Sequence, residues 1–238
     1  MIIVDSKWLS SHLDDSDLVI IDTRDNISYR FGHIKNARPV GVERVISIAD
    51  NGANLVIDGS IAEKVFTEVE IDDRKTVVVY SEHGDPSAAR VVWTLMYYGH
   101  PNVKLLDIGF SQWQKAGLPT TRQIPTRKPS ASLFKSKINS TIRADAEIIK
   151  AKQNDPNVII VDARTAQEHF QARVPGSILH NWEEGLDYDN SRVIKYKVEL
   201  QKDFEQRGIT QDKEIICYCH SGTRASHKYL QLKEAGFD

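Results

Sequence analysis

Apolar residues fall along this chain in short unbroken runs, separated by longer stretches in which they recur at helical spacing. The runs are LVIID at 18–22, 38–40, TVVVY at 76–80, VKLL at 103–106, VIIVD at 158–162 and EIICY at 214–218. A continuous apolar run, unlike strict alternation, suits a parallel strand covered on both faces. The intervening pattern predicts helices over 7–13, 60–69, 86–98, 109–116, 144–152, 195–207 and 224–235, with Ser6, Ser60 and Thr223 as N-caps. Strands and helices that alternate with short links predict an α/β architecture in each half of the chain.

The pattern also repeats. LVIIDTR at 18–24 reads against VIIVDAR at 158–164, 140 residues on, and the same offset carries GHIKNA (32–37) onto ARVPGS (172–177). FTEVEIDDRKTVVVY (66–80) reads against FEQRGITQDKEIICY (204–218) at an offset of 138. Register kept through three blocks indicates two homologous domains. Their expected extents are 1–122 and 138–238, joined by a linker at 123–137. That linker holds Pro125 and Pro129 and lies in a stretch, Ile108 to Arg143, with no Asp or Glu. It reads as a solvated strap laid on acidic surfaces, or as a basic rim drawing anions toward a cleft. The first domain runs on for more than twenty residues past Gly99, whereas the second stops two residues after the matching Gly236. The second domain is therefore expected to lack a last strand and helix.

Composition narrows the classes. Of 238 residues, 40% are apolar, enough for real cores, and 31 Lys and Arg balance 33 Asp and Glu. So even a balance leaves no overall field for nucleic acid or an anionic membrane. No apolar run approaches a membrane span, and Asp5 and Lys7 interrupt any leader-like start. Cys217 and Cys219, one residue apart, cannot staple distant segments, so the expectation is a soluble protein of the reducing cytoplasm.

The chemistry concentrates in CHSGTR at 219–224, between the strand EIICY and the last helix. Successive N–H groups in such a loop can converge on an anion, the helix N-terminus adds partial positive charge, and Gly222 permits tight curling. These features stabilise a thiolate and make Cys219 the candidate nucleophile. Arg224 offers a planar fork for an anionic oxygen pair, and His220 adds charge or a proton. Ser221 and Thr223 either contact substrate or cap the helix. Four residues separate Cys219 from Arg224, one fewer than in a phosphatase-type loop, so the cradle suits a sulfur added to Cys219 better than a phosphate. In the first domain Tyr80 is followed by Ser81 and Glu82 where Tyr218 is followed by Cys219, and Glu82 with Asp85 would repel an anion. Cys217 reads as core packing, Asp162 and Arg164 as a structural ion pair, and Trp182 as either cleft lining or packing under the loop. His169, His180 and His227 lack zinc spacing, and neither a glycine-rich phosphate loop nor a calcium-loop pattern occurs, so no metal or cofactor is implied.

With the Asp-x-Arg pairs (Asp22/Arg24, Asp162/Arg164), GHIKNA, VPGS at 174–177, GFSQWQKAGLPTT at 109–121 and CHSGTR in place, the chain resembles the tandem-domain rhodanese family of thiosulfate and 3-mercaptopyruvate sulfurtransferases. The resemblance implies two tandem rhodanese-like domains, each a mainly parallel sheet flanked by helices, the first inactive and the second catalytic. It implies a Cys219 persulfide formed from a small donor and discharged to cyanide or a thiol. Arg224 and His220 would hold the donor oxygens, and Ser221, Gly222 and Thr223 would complete the binding loop. Such families often carry a further substrate arginine after the second Asp-x-Arg. Glu168 stands in that neighbourhood here, and Arg173 is the candidate replacement. Thiosulfate is the preferred donor on the basis of the cationic groups. 3-Mercaptopyruvate, favoured by Ser221, and a non-catalytic sulfane carrier or redox sensor are the alternatives.

Overall fold

Unbroken apolar runs suit strands covered on both faces, and LVIID, TVVVY and VIIVD lie in the interior of their sheets. In the computed structural model, which describes residues 2–126 and 133–237, the first domain holds β1 (Ile3–Val4), α1 (Ser6–Ser11), β2 (Leu18–Asp22), α2 (Asn26–Phe31), β3 (His33–Ile34), β4 (Arg38–Pro39), β5 (Ile46–Ile48), β6 (Asn54–Val56), α3 (Gly59–Glu68), β7 (Thr76–Tyr80), α4 (Ser87–Tyr97), β8 (Val103–Leu106), α5 (Phe110–Lys115) and β9 (Thr120–Thr121). Its main sheet runs β1-β8-β7-β2-β4, parallel throughout. Alternate residues serve opposite faces. Val19, Ile21, Val77 and Val79 join Val65 and Phe66 of α3 and Val91, Val92 and Leu95 of α4. Ile20, Val78 and Tyr80 join Leu9 of α1 and Phe110 and Trp113 of α5.

The second domain holds α6 (Ala146–Lys152), β10 (Val158–Asp162), α7 (Ala166–Gln171), β11 (Ile178–Leu179), α8 (Lys197–Gln206), β12 (Glu214–Tyr218) and α9 (Thr223–Ala235). Its sheet is β11-β10-β12, again parallel, and β10 aligns with β12 residue for residue from Val158 with Glu214 to Asp162 with Tyr218. The same register holds in the first domain, Leu18 with Thr76 to Asp22 with Tyr80. Among the described residues β8 and α5 have no counterpart here, and β12 forms an edge. No helix among them is long and apolar enough to cross a membrane.

Three expected caps shift. The Asp5 carboxylate accepts from Trp8 N–H at 2.7 Å and the Asp58 carboxylate from Ser60 N–H at 2.8 Å, so an acid just upstream displaces each serine as the cap. Thr223 already lies within α9, whose cap is Gly222 in the left-handed region (φ 82) with no side-chain cap bond. The helices α2 and α7 escape the sequence pattern because each buries a single residue, Tyr29 or His169, and leaves its phenylalanine, Phe31 or Phe170, exposed.

Residues 127–132 of the expected linker lie outside the described residues. Beyond them Phe134 is fully buried and meets Phe66 edge-on at 5.2 Å, and Lys135 and Ser136 bind Glu63 of α3. This portion is anchored on the first domain by a buried phenylalanine as well as by Glu63, rather than lying fully solvated. The two domains meet where α4 packs along α9. Trp93 Nε1 donates to the Ile142 carbonyl, Val193 N–H to the Asp107 carbonyl, and Arg192 pairs with Asp107 at 3.2 Å. Apolar residues of both domains form one buried cluster, from Ile3 to Phe237.

Candidate active site

A frame of hydrogen bonds fixes the end of β12. Tyr218 hydroxyl donates to Asp162 Oδ2 at 2.7 Å and accepts from Val174 N–H at 3.2 Å. Arg164 grips the same carboxylate at 2.9 and 2.7 Å and donates to the Ala172 carbonyl at 2.6 Å. The first domain repeats every bond, with Tyr80, Asp22, Ile34, Arg24 and Gly32 in the corresponding places. Burial opposes ionisation of Asp162, but Arg164, Tyr218 and His169 outweigh it and hold the carboxyl at about 2. The Asp-x-Arg pair is thus structural, and it sets the strand end from which the loop departs.

Cys219 follows that strand end and packs on Ala163, Trp182 and Leu186. The loop turns at Gly222 so that Gly222 N–H lies 3.1 Å and Ala225 N–H 3.4 Å from Cys219 Sγ. Two backbone donors and the start of a thirteen-residue helix therefore face one sulfur. Trp182 is buried under the loop, edge-on to His227 at 5.0 Å, which settles it as packing. Ser221 and Thr223 hydroxyls meet each other at 3.2 Å and neither caps α9. His220 is exposed at the loop's lip.

Arg224 is not the open fork expected of it. Its guanidinium makes a two-pronged bond to Glu168, Nη1 to Oε2 at 2.6 Å and Nη2 to Oε1 at 2.8 Å. Glu168 belongs to the capping box that starts α7, which points its carboxylate at the loop. The pair with Arg224 holds the Glu168 carboxyl at about 2, while Glu168 first and Cys219 second raise the arginine. Arg173 is exposed on the connection after α7 and forms no ion pair or side-chain hydrogen bond among the described residues; only its neighbour Val174 reaches the frame.

Below the loop lies a buried polar network. Lys228, fully buried, donates to His180 Nδ1 at 2.7 Å, Gln231 Oε1 at 2.6 Å and the Asn181 carbonyl at 3.2 Å. Gln231 in turn donates to the Trp182 carbonyl at 2.7 Å. Burial brings Lys228 down to about 7, and burial with the Lys228 charge brings His180 and His227 to about 3. Burial likewise lifts the Cys217 thiol to about 12, so this cysteine is packing, as expected. No cluster of three or more metal-ligating side chains occurs among the described residues.

The first domain's loop keeps the backbone turn but has Ser81 where the second has Cys219. Gly84 has φ 83 against 82 for Gly222, but Ser81 donates its hydroxyl to Asp85. A cavity of about 310 Å³ there is walled by Asp25, Glu43, Glu82 and Asp85 beside Arg24, a lining hostile to an anionic donor.

The rhodanese-like domain family matches residues 5–116 and 145–238. A putative thiosulfate sulfurtransferase of Mycobacterium bovis is 28% identical, over 98% of this chain and 88% of its own. The sulfur carrier protein TtuD of Thermus thermophilus is 27% identical, over 98% of this chain and 87% of its own. The crystal structure of the 3-mercaptopyruvate sulfurtransferase SseA from Escherichia coli superposes with a TM-score of 0.87 at 25% identity, covering 100% of this chain and 95% of that one.

Proposed function

The chain belongs to the rhodanese-like domain family, and on that premise we propose that it is a sulfurtransferase working through a persulfide on Cys219, with thiosulfate as donor. The observation that carries this reading is the pair of N–H groups, from Gly222 and Ala225, directed at Cys219 Sγ. In the first half-reaction the thiolate attacks the outer sulfur of thiosulfate. A new S–S bond forms, the old one breaks, and sulfite leaves with its electron pair. In the second, cyanide or a thiolate attacks the outer persulfide sulfur, and the Cys219 thiolate departs. The loop N–H groups hold negative charge on sulfur in both resting forms. His220 at the lip and the hydroxyls of Ser221 and Thr223 are the polar groups a donor meets on entering. Arg173 is the outer cation of this approach. Two free cysteines fit a reducing compartment such as the cytoplasm, where thiol acceptors are plentiful.

A second reading takes 3-mercaptopyruvate as donor. The Glu168 carboxylate favours it, because it cancels the Arg224 charge that a doubly charged thiosulfate would use. Intact mass after incubation with each donor decides. One added sulfur in the wild type, released by cyanide and absent in Cys219→Ser, is expected, with thiosulfate loading faster. No added sulfur from either donor would refute the function. Loading without repeated turnover would mark a sulfane carrier rather than an enzyme.

A further inference from the structure

Arg224 interacts with Cys219 from within the loop, and a second guanidinium approaches the same loop from the other domain. Arg90 lies on α4 and is only 4% exposed; among the described residues it has no ion pair, and its Nε has no hydrogen-bond partner. Its side chain crosses the interface to rest against the loop, so close that a Cβ on Gly222 would collide with Nη1. Gly222 is the same residue whose N–H points at Cys219 Sγ. A buried, unpaired cation persists only where something anionic answers it. We propose that Arg90 is the cross-domain electrostatic partner of the anionic sulfur on Cys219, both as thiolate and as persulfide. It thereby fills the place that Glu168 denies to Arg224, and the inactive domain completes the active site.

The charges around Cys219 fit this assignment. Arg224 faces it from α9, but tied to Glu168 of α7. His220 on the loop is exposed, and Cys217 on β12 holds its proton. Lys228 and His227 lie deeper on α9, with Lys228 committed to His180 and Gln231. Around Arg90 itself stand Arg143, which repels it, Tyr98, and Trp93, whose ring lies 5.0 Å from Cζ. Burial draws Arg90 down to about 10, while Cys219 first and Tyr98 after it act in the opposite sense.

The inference rests on Cys219 being the nucleophile, and its test needs no sulfur donor. The pH dependence of Cys219 alkylation by iodoacetamide is measured in full-length wild type, Arg90→Met and Arg90→Lys, with Cys217→Ala in every background. Removing an opposite charge at this range is expected to raise the midpoint by about one pH unit in Arg90→Met. Below both midpoints alkylation then slows roughly threefold, since a more basic thiolate is also more nucleophilic. Arg90→Lys, which keeps a charge but loses the fork, should shift by about half as much. A purely structural role for Arg90 would lower the melting temperature and leave the midpoint where it was. An unchanged midpoint in folded Arg90→Met, or a shift in Arg90→Lys as large as in Arg90→Met, overturns the proposal. A shifted midpoint in a protein that accepts no sulfur from either donor would sustain it while refuting the proposed function.

Discussion

At the scale of single residues, the exchange between Arg224 and Arg90 matters most. Arg224 is the arginine that the motif displays, yet its charge is spent on Glu168 at 2.6 Å. Glu168→Gln tests what that costs. The glutamine keeps the capping box to Thr165, so α7 should remain. Both partners are partly exposed, and the lost ion pair should cost less than about 1 kcal/mol. Because the Glu168 carboxyl is held at about 2, its contribution is present above the ordinary carboxylate range and lost as pH falls toward 2; variant and wild type should then converge in stability at that pH. Freed of its partner, Arg224 adds one positive charge to the loop. Half-saturation by thiosulfate should fall several-fold, while 3-mercaptopyruvate, with its smaller charge, responds less. Steady-state kinetics with both donors checks this, and an unchanged thiosulfate value would show that Arg224 does not face the donor.

At the scale of elements, the two loops form a natural control pair. Gly84 and Gly222 share the left-handed backbone, but a Cβ at 84 meets nothing within 4 Å while one at 222 strikes Arg90. Gly84→Ala should therefore cost only the backbone penalty, about 1–2 kcal/mol, with full persulfide loading. Gly222→Ala adds displacement of Arg90 and of the N–H aimed at Cys219, and loading should drop by about two orders of magnitude, as expected for losing an oriented donor. Equal effects of the two substitutions would contradict the contact. The elements themselves were legible to the degree that they were long and apolar. β2, β7, β8, β10 and β12 stand where the unbroken runs placed them, because a run of apolar residues suits a strand covered by helices, even at the edge position of β12. Two-residue strands such as β3 and β11 leave no periodic trace. The CHSGTR loop was readable because its residues are contiguous. Arg90 was not, because it sits in the apolar pattern of α4 and its partner lies more than 120 positions away, where only the packing of α4 on α9 brings them together.

At the scale of the whole molecule, that packing makes the two domains one core, and the buried network under the loop gives the core its pH response. His180 and His227 stay neutral to about 3 in the folded protein, against about 6.5 in the unfolded chain, so the unfolded state binds more protons between those values. Stability should fall as pH drops through that window. Lys228 sits at about 7 when folded and near 10.5 when unfolded, so the unfolded chain again holds more protons, and stability should rise with pH from 7 toward 10. Both limbs originate in the second domain. Because α9 is shared packing for α4, they should appear in one cooperative transition of the entire chain rather than in a separate early one. Calorimetry from pH 4 to 10 checks this with Lys228→Met as the comparison. The methionine removes the buried ammonium, so the alkaline limb should flatten, and relief of His180 and His227 from that charge should make the acid limb shallower. Two resolved transitions would refute the single core, and an alkaline limb that survives Lys228→Met would place its origin elsewhere than the network beneath Cys219.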